Sequence, residues 1–174
     1  MKHLLEFESY GPVNEAATIP VYNEDDYIKS PGAPPEMKVP AADIVEIIGI
    51  LLGSKDQGKI DMVVVNADLP SQGKNAPAYI RTEMEKERER MAKRKYSIYG
   101  SRIEKDDRPE DDYTDAINIF VDSEYVVTGV QDDAVMVIPR SYYVKTQRDP
   151  SLVDQYTLAL TPDQIEEVSY YPSK

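Results

Sequence analysis

The sequence predicts an α+β fold, and three observations carry the prediction. Two apolar runs, Ile44–Leu52 and Ile60–Val65, follow one another around a short polar break, so they supply the centre of the core. A charged segment after Pro77 carries apolar residues at helical spacing, and short apolar stretches on either side of residues 129–133 read as a hairpin. At 174 residues the chain suits one well-formed core and is too small for two generous ones. It divides into a proline-rich N-terminal arm (1–38), a core domain (39–140) and a tyrosine-rich C-terminal extension (141–174).

Residues 1–40 hold six of the thirteen prolines, with Ser30–Glu36 reading SPGAPPE and an acidic cluster at Asn23–Asp26. Proline removes backbone donors and blocks helix, so this composition predicts an extended arm. Within it Leu4, Leu5, Phe7 and Tyr10 can dock as a short element. The basic start, the aromatic pair Phe7 and Tyr10 and then Asn14-Glu15-Ala16 resemble the leaders of tailed-bacteriophage proteins. In such phages a prohead protease cuts after an apolar-x-Glu, which here would be Val13-Asn14-Glu15.

Ile44–Leu52 has two readings. As a helix starting near Pro40 and capped by Gly53, it would gather Asp43, Glu46, Gly49 and Gly53 on one narrow polar stripe. As a strand it has five β-branched residues in nine, followed by Ser54–Lys59 as a glycine-containing loop and a second strand over Lys59–Asn66. Periodicity alone does not separate them in a buried run.

The run Glu46-Ile47-Ile48-Gly49-Ile50-Leu51-Leu52-Gly53, then Ile60–Val65, then Pro70-Ser71-Gln72-Gly73, resembles the JAB/MPN domain family of zinc metallopeptidases and their non-catalytic relatives. The resemblance spans about residues 39–138. It implies a mixed sheet with JAB/MPN-like strand order, in which Ile44–Leu52 and Ile60–Val65 are paired strands. Gly49 and Gly53 then mark close backbone approach and a tight turn.

From Pro77, a good first helical residue, 78–95 reads as one long charged surface helix with a thin apolar stripe at Ile80, Met84 and Met91. Its apolar positions are too sparse for coiled-coil heptads. A third strand is expected over Tyr96–Ile103, then an acidic loop, then a hairpin of Ser123–Thr128 and Ala134–Ile138 with Asp132-Asp133 in the turn. Thr161-Pro162-Asp163-Gln164 reads as the capped start of a short helix through Val168. The C-terminal tyrosines, apolar in body and polar at the tip, suit an interface.

Lys and Arg total 20 against 32 Asp and Glu, a formal charge of −12. That charge repels phosphate backbones, so nucleic acid is not an expected partner and a basic or neutral protein is. No apolar run approaches the roughly 20 residues that span a bilayer, so no membrane partner is expected, and no signal-peptide pattern is present. The expected location is a virion or host cytoplasm. There is no cysteine, and the single histidine, His3, lies in the arm, so disulfides and thiol chemistry are excluded and carboxylates are the remaining strong metal ligands.

In active JAB/MPN relatives, the resemblance implies, a glutamate at the position of Glu46 is general base for a zinc-bound water, and two histidines and an aspartate hold the metal. Here Glu46 and Asp115 remain, Arg102, Ile103 and Glu104 stand where His-x-His falls, and Asp112 replaces a serine. No cofactor is expected. The simpler reading is preferred for each: Glu46 as a strand-edge carboxylate paired with Lys or Arg, Asp115 as a helix cap, and the acidic run Asp106–Asp112 as solvated loop. The expected function is therefore a non-catalytic structural or interaction protein, a phage virion or assembly component docking through its arms. The alternatives are a divergent metal-dependent hydrolase, with Glu46 catalytic and metal held by Glu104, Asp112 and Asp115, and an acidic phage regulator binding a host protein.

Overall fold

A computed structural model describes residues 17–70, 76–93, 96–99, 102–105 and 122–174. Their contacts divide them into two units, 17–68 with 123–174, and those within 69–122. The strands are β1 (Thr18–Asn23), β2 (Met37–Pro40), β3 (Ile60–Ala67), β4 (Tyr96–Tyr99), β5 (Arg102–Lys105), β6 (Glu124–Gln131), β7 (Ala134–Pro139), β8 (Leu158–Leu160) and β9 (Ile165–Pro172). The α-helices are α1 (Glu24–Lys29), α2 (Ile44–Asp56), α3 (Ala78–Ala92), α4 (Arg140–Arg148) and α5 (Val153–Tyr156). Among the described residues no helix is long and apolar enough to cross a membrane.

The first unit is α+β, built on a mixed seven-stranded sheet of order β2-β1-β9-β3-β6-β7-β8. β1 and β9 run parallel, and every other neighbouring pair is antiparallel. Successive residues of a strand point to opposite faces, so the consecutive buried residues Val63-Val64-Val65 and Tyr125-Val126-Val127 show that the sheet centre is covered on both faces. Its two edges are short, four residues in β2 and three in β8, which limits the unpaired backbone offered to other chains.

The strand expected over Ile44–Leu52 is helix α2, so the pairing with Ile60–Val65 that the JAB/MPN resemblance implied is not made. The reason lies in the spacing and the ends. Ile44 and Ile48, four residues apart on one helical face, have no exposed surface, and Leu51 and Leu52 continue that stripe half-buried. α2 packs this face on β3, β6 and β7, and that tertiary burial outweighs the strand preference of its β-branched residues. Glu46 and Gly49 lie exposed on the opposite stripe, as the helical reading required.

The helix stops beyond its apolar run, in the segment expected to be a hairpin loop. Gly58 adopts φ 75°, its N–H bonds Lys55 O at 2.9 Å, and Lys59 N–H bonds Ser54 O at 2.9 Å. These crossed bonds satisfy the last carbonyls of the helix around a left-handed residue, for which glycine is suited. Gly49 and Gly53 mark no close approach: a Cβ at either would meet nothing within 4 Å.

In place of 44–52, β3 pairs with β6 on one side and β9 on the other. Thus residues 165–172, assigned to an extension, form an interior strand, and residues 18–40, assigned to an arm, supply β1, α1 and β2. Residues 1–16 lie outside the described residues. Pro20 is tolerated within β1 because it lies one residue before the β9 ladder begins at Val21.

The β6–β7 hairpin turns at Asp132-Asp133 as expected, with Asp132 at φ 54°, a conformation aspartate tolerates better than most residues. Thr161 and Gln164 do form a capping box, but around a single 3₁₀ turn, Pro162–Gln164, that leads straight into β9. In the second unit α3 begins after Pro77, whose carbonyl accepts from Ile80 N–H at 3.0 Å. The single strand expected over Tyr96–Ile103 is instead the antiparallel pair β4–β5.

Candidate functional site

Glu46 is exposed on α2, and Glu104 belongs to β5 of the second unit. Asp112 and Asp115 lie outside the described residues. Among the described residues, no three His, Cys, Asp or Glu side chains lie close enough to hold a metal ion.

A recess of about 440 Å³ opens instead where β1 runs into α1. Its position follows from local sequence. Asn23 accepts from Asp25 N–H at 2.9 Å and caps α1, whose first turn carries Glu24, Asp25 and Asp26, where acidic side chains favour the helix end. The chain then reverses through Gly32, at φ 85°, and prolines 34 and 35 carry it back to β2. Tyr22, Tyr27, Asp26, Glu36, Pro35 and Glu167 form much of the wall. Among the described residues, its three charged residues are all acidic, and Lys29 and Lys38, close in sequence, do not line it.

Two of those carboxylates are held by tyrosine hydroxyls. Tyr22 OH donates to Glu167 Oε1 at 2.5 Å, and Asn66 Nδ2 donates to the same oxygen at 3.1 Å. Tyr170 OH donates to Glu36 Oε2 at 3.3 Å. Burial, then the hydrogen bond to Glu167 and its charge, push the Tyr22 phenol well above the usual tyrosine range. Tyr170 is raised by burial and then by the charge of Glu36. Both hydroxyls therefore stay protonated as donors at neutral pH. The Tyr22 and Tyr27 rings sit 5.2 Å apart, tilted by 42°, and Tyr27 is 45% exposed.

A second polar network lies along β9. Arg140 Nη1 donates to Glu124 Oε2 at 2.6 Å and to the Tyr171 hydroxyl at 3.2 Å, and that hydroxyl donates to Glu24 Oε1 at 3.3 Å. The C-terminal tyrosines expected at an interface are thus engaged within the fold: Tyr170 and Tyr171 are half-buried, and Tyr156 is buried and stacked on Tyr142 at 4.2 Å. This network braces the strand that carries Glu167.

Sequence reasoning missed Tyr22, Tyr27, Glu36 and Glu167. One local signal was present: Asn23 followed by three acidic residues is a helix start. Nothing local joins Glu167 to Tyr22, 145 residues away. No family model, curated protein or solved structure matches the chain.

Proposed function

We propose that the chain is a non-catalytic interaction protein that docks a basic segment of a protein partner within a larger assembly. The carrying observation is the recess between β1, α1 and β9, whose described charged wall residues are all acidic and two of whose carboxylates are held in place by the hydroxyls of Tyr22 and Tyr170. Such a wall attracts a cation and excludes an anion. Among the described residues it contains no nucleophile beside a base, and the phenols of Tyr22 and Tyr170, which hold its carboxylates, are kept protonated, away from acid–base work near neutrality. The net charge of −12 extends the same preference over the surface.

The phage setting, a virion or an assembly component, is part of the proposal and rests on the leader-like N-terminus. The test is affinity capture from the native source at low and high salt, with a peptidase assay alongside. The expected result is a partner retained at low salt and released at high salt, with Glu46→Gln unaffected. Peptide or isopeptide hydrolysis abolished by Glu46→Gln would restore the hydrolase, and capture insensitive to salt would remove the electrostatic reading.

A further inference from the structure

We infer that the recess is a socket for one arginine side chain presented by that partner, an assignment that rests on the docking reading above. Its volume, about 440 Å³, lies towards the small end of ligand pockets, enough for a side chain and its surroundings. The wall is lined by an aromatic pair, two prolines and three carboxylates, and among the described residues no basic side chain lines it. An entering cation meets the carboxylates of Asp26, Glu36 and Glu167 on the wall. The carboxylates do not gather closely enough for a metal ion, so the geometry favours a cation broad enough to touch more than one of them.

Guanidinium is favoured over ammonium by how those carboxylates are held. The described bonds to Glu167 both end on Oε1, and the described bond to Glu36 ends on Oε2. Each carboxylate is therefore anchored through one oxygen, and among the described residues the other carries no described hydrogen bond and is left for an entering donor. Guanidinium offers five donors in a rigid planar fork, whereas ammonium is a compact point charge on a flexible stem. Tyr27 adds aromatic surface on which a guanidinium stacks and a hydrated ammonium does so less well. Pro34 and Pro35 stiffen the rim, so little ordering cost remains on binding.

The experiment uses the full chain labelled with ¹⁵N and titrated with a blocked Gly-Arg-Gly tripeptide, with the lysine and citrulline versions as controls. Citrulline keeps the shape of arginine and lacks its charge. The expected result is saturable movement of the amides of residues 22–36 and 167 with arginine, weaker binding of lysine, and none of citrulline. Tyr27→Ala, at an exposed position, should weaken the arginine peptide by about two- to fivefold while leaving the rest of the amide spectrum in place. Glu36→Gln should weaken it as well. Equal binding of lysine or citrulline, unchanged affinity in Tyr27→Ala, or movement confined to other residues overturns the assignment. The two readings fail separately. A salt-sensitive partner still captured by the Tyr27→Ala, Glu36→Gln double variant leaves docking in place and removes the socket. A tripeptide that binds the recess, with no partner captured, leaves the socket and removes docking.

Discussion

Between β6 and β7 the sheet is joined by Val126, Val127, Val135 and Val137, all fully buried, across a turn of two residues. Where β9 lies between β1 and β3 it is joined in part by Tyr22, Glu167 and Asn66, half-buried polar groups of which Glu167 lies more than a hundred residues from the other two. The first region gains stability by removing apolar surface from water and depends little on the identity of any one partner. The second gains it through hydrogen bonds whose value lies mainly in what is lost when one member is removed. The apolar region holds the fold, and the polar region holds a shape that a ligand can meet.

Removing volume from the apolar region should give the largest effect. Ile138→Ala, at a residue 2% exposed in β7, leaves a cavity as well as forfeiting transfer energy, and should cost about 2 to 4 kcal/mol. Denaturant melts measure it, and a loss below about 0.5 kcal/mol would place Ile138 outside a packed core. The matching change in the polar region is Glu167→Ala, which strands the Tyr22 hydroxyl and the Asn66 amide without their acceptor. An expected cost of about 1 to 2 kcal/mol follows from leaving half-buried donors unpaired. The contrast sharpens if Glu167→Ala also abolishes tripeptide binding while Ile138→Ala, still folded at low temperature, retains it.

The helix end offers a finer comparison within the apolar region. Gly58→Ala forces a Cβ into a left-handed conformation and should destabilise by about 1 kcal/mol, although no atom stands within 4 Å to clash with it. Gly49→Ala, in the interior of the same helix and equally unobstructed, should stabilise by about 0.5 to 1 kcal/mol. Opposite signs for one substitution at two glycines of one segment, read by thermal or denaturant melts, test the left-handed end of the helix at Gly58 against its regular interior.

The same contrast explains what the sequence disclosed. The β6–β7 hairpin was legible because its pattern and its turn lie within sixteen residues of one another, and β3 was legible because it is apolar on both faces. α2 was misjudged although Ile44, Ile48, Leu51 and Leu52 fit a helical stripe. Its isoleucines favour strand in isolation, and the deciding residue, Gly58, lies six positions past the apolar run. β9 was not legible at all. Ile165-Glu166-Glu167-Val168 carries two charges, and Glu167 is acceptable inside a sheet only because Tyr22 and Asn66 arrive from distant strands. The recess inherits that difficulty: Asn23 and the acids after it carry a local signal for α1, overlooked because the prolines around them read as an extended arm, and its far wall comes from β9.

The smallest effect at neutral pH, and the most selective, concerns alkali. Tyr22 binds its proton more tightly in the folded protein than in the unfolded chain, where a tyrosine ionises near pH 10, because burial and the Glu167 carboxylate both disfavour phenolate. Tyr170 and Tyr171 are displaced in the same direction, burial being the largest cause in each. The folded state therefore holds more protons than the unfolded state once pH passes 10, and stability must decline with rising pH from there. Below pH 10 both states hold these protons and the contribution is complete and flat. Tyr22→Phe keeps the ring beside Tyr27 and removes the titrating hydroxyl, so its stability should fall less steeply between pH 10 and 12 than that of the parent. Ile138→Ala, which removes no titrating group, should fall in parallel with the parent. Isothermal denaturant melts across that range measure the slopes. Parallel curves for Tyr22→Phe and parent would show that the Tyr22–Glu167 bond does not hold the phenol neutral, and the wall of the recess would lose one of its fixed points.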